Sequence, residues 1–206
     1  MPSSEFILAG LTSLSNDWQL IAIGFHLYFV ILIIVTIAGV TLSRKIAGFL
    51  LAVPPLSVSI LAWSGMNLFN GFVFAIITIL LVIYSMCLPM DRIYFSSTGF
   101  MIIGIIMLAF GWVYPHFLNT RSFIPYLYAA PLGIVPCPTL CAIIGCTLII
   151  GGLGSRSWSI VLGTAGIFYG IFGTLRLGVA LDWVLVAGAI TLVGYALFFL
   201  KVPDSK

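Results

Sequence analysis

Pro136-Cys137-Pro138-Thr139-Leu140-Cys141 is where this 206-residue chain concentrates its reactive side chains. Between Pro115 and Gly152 fall five of the ten prolines, three of the four cysteines, Arg121 and His116. Pro138 suits the first turn of a helix, because amide hydrogens there lack an intrahelical acceptor. That placement puts Cys137 at the cap, over the positive end of a helix dipole, where a thiol is activated toward attack or metal binding. Cys141 follows one turn later on the same face. Two thiolates so spaced suit Cu(I), and a histidine completes the set. The expected metal residues are therefore Cys137, Cys141, His26 and His116, with copper as the ion. The bland reading stands beside it: cysteine is a common small core residue, as Cys146 in mid-helix illustrates, and prolines shape helix starts. No Cys-x-x-Cys redox pair occurs here, and no second pair supplies a closed zinc site.

The same stretch suits a small ligand. Broken backbone that opens onto a helix N-terminus binds anions or soft metals, so the candidate substrate-binding residues are His116, Arg121, Tyr126, Cys137 and Thr139. No residue is assigned a catalytic role. Asp182 and Arg176, expected on the same side, read as solvated helix ends.

The elements that must position these groups follow from composition. Hydrophobic residues make up 62% of the chain and charged residues 6%, with a net charge of +3 and a mean hydropathy of +1.27. Soluble domains carry about a quarter charged residues, and the sparse charge offers no polybasic face for nucleic acid. The fold class is all-α: a polytopic transmembrane bundle forming one domain over residues 1–206. A spanning barrel would alternate polar and apolar residues, and these segments do not.

About seven spans are expected, near residues 18–42, 46–63, 71–88, 99–114, 138–152, 157–175 and 183–200. Residues 1–17 read as an amphipathic segment lying in the interface, capped by Ser3 or Ser4, with Ile7, Leu8, Leu11 and Leu14 on one face. Pro54-Pro55 should kink the second span. Residues 117–137 are too apolar for water and too rich in proline for one helix, so a re-entrant segment before the fifth span is expected. Gly163, Gly166, Gly170 and Gly173 line one face of the sixth span and predict a packing seam within the monomer. Arg44, Lys45, Arg92, Arg156, Lys201 and Lys206 fall on one side, against Arg121 and Arg176 on the other. The positive-inside rule then puts the N-terminus outside and the C-terminus in the cytoplasm.

Tyr114-Pro115, the proline-rich apolar stretch with Pro125, Pro131 and Gly133, and Pro136-Cys137-Pro138-Thr139 together resemble a bacterial family of uncharacterised integral membrane proteins, a domain of unknown function. The segment leading through Asn16 and Trp18 into the first span is similar too. Leu140-Cys141 departs from that family's pattern, which places a second threonine after the motif. The resemblance implies a fold type, a site location and a bacterial inner membrane, and no activity. Three functions follow from the residues: a small-molecule or ion permease or membrane binding protein with its site in the outer half near Pro136–Cys141; a non-catalytic subunit of a larger membrane complex; and, weakest for want of a resolving thiol, a membrane-embedded thiol redox enzyme. The lipid bilayer is the expected partner, with a membrane-protein complex or homo-oligomer beside it.

Overall fold

The computed structural model describes residues 3–38 and 41–200. Lys201 and Lys206, which enter the charge count, lie outside the described residues. Helix α1, Ser4–Asp17, is started by Ser3, whose hydroxyl accepts from the Phe6 amide at 3.2 Å. It buries Leu11, Leu14 and Ser15 and leaves Phe6 exposed. After Trp18 the chain enters α2, Gln19–Ile37, which buries Ala22, His26 and Phe29 against the protein. Its outward face, with Leu20, Leu27, Ile31 and Ile34, is apolar, which water does not tolerate over such an area but a hydrocarbon layer does.

Helices α3, Arg44–Ser64, and α4, Leu68–Cys87, form an antiparallel pair. Pro54 has no amide hydrogen for the Leu50 carbonyl one turn back. The Tyr28 hydroxyl supplies that missing donor from α2, at 2.7 Å, so the helix runs on through both prolines. Asn67 caps α4 by accepting from the Asn70 amide at 3.1 Å, and Ser59 donates to the Gly71 carbonyl at 2.8 Å.

Helix α5 is Thr98–Val113. Residues 114–135 then fold over the end of the bundle, with a single turn of helix, α6, at Tyr126–Ala129. Ala129 through Val135 are buried, whereas residues 121–124 are exposed. The Trp112 indole holds the turn by donating to the Leu127 carbonyl at 2.8 Å. Helix α7, Pro136–Ile149, is buried along nearly its whole length and forms the axis of the molecule. It meets α5 through glycine: a Cβ on Gly145 would lie 2.6 Å from the Gly104 carbonyl oxygen, and one on Gly111 2.6 Å from that of Pro138.

After α7 the residues Gly151, Gly152, Leu153 and Gly154 all take φ between 54° and 62°, a left-handed turn. Helix α8, Arg156–Ile171, continues into a wide π turn at Phe172–Arg176. Helix α9, Asp182–Gly194, runs back beside it and ends in a second π turn at Tyr195–Phe199. The glycine seam of α8 packs on α9 within the chain: a Cβ on Gly163 would meet Val193 at 2.5 Å and one on Gly170 Val186 at 2.6 Å.

Among the described residues, five helices are long and apolar enough to cross a membrane: Gln19–Ile37, Arg44–Ser64, Leu68–Cys87, Arg156–Arg176 and Asp182–Phe199. The other two apolar helices, α5 and α7, have 16 and 14 residues. At 1.5 Å per residue they reach about 24 and 21 Å, short of a hydrocarbon layer of about 30 Å.

Candidate functional site

Asp182 is the centre of the site. It opens α9, yet only 1% of its surface is exposed, so it is not the solvated helix end its position in sequence suggests. One carboxylate oxygen, Oδ1, accepts from the Tyr114 hydroxyl at 2.6 Å, and the other, Oδ2, accepts from the Cys137 thiol at 3.2 Å. Three distant stretches thus meet here: the end of α5, the start of α7 and the start of α9. The sequence arranges this locally. Pro115 ends α5 just after Tyr114, and Gly173 in the π turn after α8 leaves room for the acid, since a Cβ there would collide with Asp182 Oδ2.

Pro136, not Pro138, is the first residue of α7, and Val135 is its cap. Cys137 is therefore inside the first turn rather than at the cap. Because Pro136 and Pro138 have no amide hydrogen, Cys137 alone among the first three residues carries one. The helix start thereby lacks two of the donors that make such ends bind anions.

Above Asp182 and Cys137 lies a cavity of about 710 Å³, within the range of small-molecule sites. Helix α1 walls one side through Ile7, Gly10, Leu11 and Leu14. Val58, Ala62 and the Gly65–Asn70 turn wall another, with Phe117, Ile134, Tyr169 and Phe172 closing it. Most of the lining is apolar. Besides Asp182 and Cys137, its polar groups include Asn70, which accepts from the Tyr169 hydroxyl at 3.0 Å, and Asp17, which accepts from Ser13 at 3.0 Å. Arg176 lines it as well, from an exposed position. Asn16 pins α1 across the top, donating to the Phe117 carbonyl and accepting from the Asn119 amide, both at 3.0 Å.

Of the five candidate ligand residues, Cys137 lines this cavity and the others do not. Thr139 is fully buried and closes a turn, accepting from the Gly133 amide at 2.8 Å and donating to the Val135 carbonyl at 2.7 Å. Tyr126 reaches the Leu118 carbonyl at 3.4 Å. Arg121 is exposed. His116 is half-buried, packs edge-on against Phe117 with ring centroids 4.3 Å apart, and has its pKa pushed down by burial.

The four residues expected to hold copper are not gathered. Among the described residues no group of three or more His, Cys, Asp or Glu is placed to hold a metal ion. His26 has both ring nitrogens on backbone carbonyls, Nδ1 at 2.8 Å from Ala22 O and Nε2 at 3.0 Å from Trp112 O. The latter is one of the carbonyls that the end of α5 leaves without an intrahelical donor, so His26 caps α5 from the side. Cys137 is committed to Asp182, and Cys141 is fully buried in the core.

Asp182, Tyr114, Asn70 and Tyr169 are the site residues that sequence reasoning missed. A signal existed for the first: an acid in an apolar stretch marks function more often than chance. No family model, curated protein or solved structure matches this chain.

Proposed function

We propose that this chain is a membrane-embedded binding protein or permease for a small molecule, with its site in the cavity where α7 begins. The observation that carries the reading is a roomy apolar chamber with a buried carboxylate in its wall. Apolar lining with a few placed polar groups is the usual composition of a ligand site. The thiol redox reading draws no support from Cys137, which is buried and hydrogen-bonded to an acid.

Helices α5 and α7, though short, complete seven crossings, and residues 117–137 form a re-entrant segment over them. The cavity end faces outward and the end bearing Arg44, Lys45, Arg92 and Arg156 faces the cytoplasm, as the distribution of basic residues favours. A membrane-impermeant maleimide should therefore label Ser122→Cys in intact cells and leave Ser155→Cys unlabelled; the reverse pattern overturns the orientation.

For the site itself the test is binding of N-phenyl-1-naphthylamine, a neutral fluorophore that brightens in apolar surroundings, to protein in lipid nanodiscs. Saturable binding in excess of empty discs is expected. Gly10 lines the cavity, and a Cβ there would meet nothing within 4 Å, so Gly10→Trp fills space without a backbone clash. It should weaken binding at least tenfold. Unchanged binding by that variant sinks the reading.

A further inference from the structure

We propose that the cavity selects lipophilic organic cations: molecules that carry a fixed or protonated positive charge beside an apolar or aromatic body. The inference rests on the cavity being a ligand site and adds what that site prefers.

Charge and its placement carry the argument. The groups that hold the Asp182 carboxylate, a phenol and a thiol, are both neutral. Burying a carboxylate away from water is costly, and a cation that reaches it lowers that cost; the cavity is the side from which a cation comes. Asp17 adds a second acid to the lining, against the single guanidinium of Arg176, which sits at an exposed position rather than at the depth of Asp182. The start of α7 argues the same way. Its two prolines leave Cys137 as the one residue of the first three with an amide hydrogen to offer an anion, so that end does little to offset the repulsion from Asp182. The same cavity is lined by Phe69, Phe117, Tyr169 and Phe172. Aromatic faces beside a carboxylate are the surroundings in which organic cations are bound, since each ring presents its negative face. The neighbouring wall from α1, Val58 and Ala62 takes the apolar body.

The test uses two probes of one shape and opposite charge, tetraphenylphosphonium and tetraphenylborate, each competing with bound N-phenyl-1-naphthylamine on the full chain in nanodiscs of neutral lipid. The cation should displace the fluorophore at a concentration at least tenfold lower than the anion, after correction with empty discs. Asp182→Asn should bring the two within about threefold of each other while the fluorophore still binds. Equal displacement by both ions, or preference for the anion, overturns the proposal, as does an Asp182→Asn protein that keeps the preference. If that variant does not fold, the comparison of the two ions on the unmodified chain still decides. Failure of the cavity reading looks different: the fluorophore does not bind, or Gly10→Trp leaves its binding unchanged.

Discussion

The two ends of α7 treat their polar groups in opposite ways. At its C-terminal end backbone carbonyls are met by neighbouring donors. The Ser96 amide donates to the Ile149 carbonyl at 3.0 Å and the Ser96 hydroxyl to that of Leu148 at 2.5 Å. Arg44, only 7% exposed, donates from Nε to the Leu153 carbonyl at 2.7 Å. The left-handed turn makes this possible, because a Cβ on Gly154 would fall on the guanidinium. A cation is also well placed there by the helix dipole. At the N-terminal end the polar group is an acid held by neutral donors beside an open chamber. The first end is a sealed joint, and the second has been left ready for something else. Groups used up in holding backbone together are structural, whereas a charged group that borders empty space is the mark of a binding function.

The largest expected effect tests the sealed end. Arg44→Met keeps much of the apolar stem but orphans the Leu153 carbonyl in a buried turn. Loss of a charge-assisted bond with its acceptor left unpaired costs on the order of 2–3 kcal/mol, which should appear as a lower midpoint in thermal unfolding followed by tryptophan fluorescence. Fluorophore binding at the far end of α7 should be unchanged once the protein is folded. If Arg44→Met alters binding as much as stability, the two ends are not independent and the contrast fails.

Next in size is Tyr114→Phe, which removes the donor at 2.6 Å from Asp182. A loss of about 2 kcal/mol is expected, the range for hydrogen bonds to charged groups. The same substitution made on top of Asp182→Asn should cost less than half as much, because its partner is no longer an acid. A double-mutant cycle measures this directly. Additive effects would mean that the phenol stabilises the fold by packing alone, and the acid would then lose its place at the centre of the site.

Filling the cavity should affect stability less than either. Because a Cβ on Gly10 meets open space, Gly10→Trp should shift stability by no more than about 1 kcal/mol, the range for changes that neither open a void nor strand a polar group. Binding and stability should therefore separate at this end and stay joined at the other. A large destabilisation by Gly10→Trp would show that the chamber is filled by α1 side chains in solution.

The pattern of hydrophobicity made the helices legible, and glycine spacing made the α8–α9 contact legible, since both depend on neighbours a few residues apart. The start of α7 was nearly so; it begins at Pro136 rather than Pro138 because the first three residues of a helix all tolerate the loss of an amide hydrogen. The site was less legible. Cys137 was found because its flanking prolines draw the eye, but its partner lies 45 residues on and Tyr114 lies 68 residues before that partner. Nothing local distinguishes an acid at a solvated helix end from one folded under a neighbouring helix. The same holds for Tyr28, which mends the α3 backbone at Leu50, and for His26, whose two carbonyl contacts take it out of metal chemistry. In each case the deciding partner comes from a different helix.

The smallest expected effect is a pH dependence confined to the outer end. Burial lowers the pKa of His116 from its ordinary value of 6.5. In the folded chain the ring therefore holds its proton less firmly than in the unfolded chain, and between the two values the unfolded state binds more protons. Stability from this group is fully present above about 6.5 and is lost as pH falls through the lower, folded value. The effect should be modest, since His116 is only half-buried and solvent screens it. Thermal unfolding compared at pH 7.5 and pH 5 isolates it: the unmodified protein should lose more stability on acidification than His116→Gln does. Groups common to both proteins cancel in the difference. The reporter on the other side is Arg44→Met, whose deficit should be the same at both pH values, because the Leu153 carbonyl it strands carries no charge at either. A pH-dependent Arg44→Met deficit, or a His116→Gln protein as acid-sensitive as its parent, would remove the titrating group from the outer end and with it this part of the contrast.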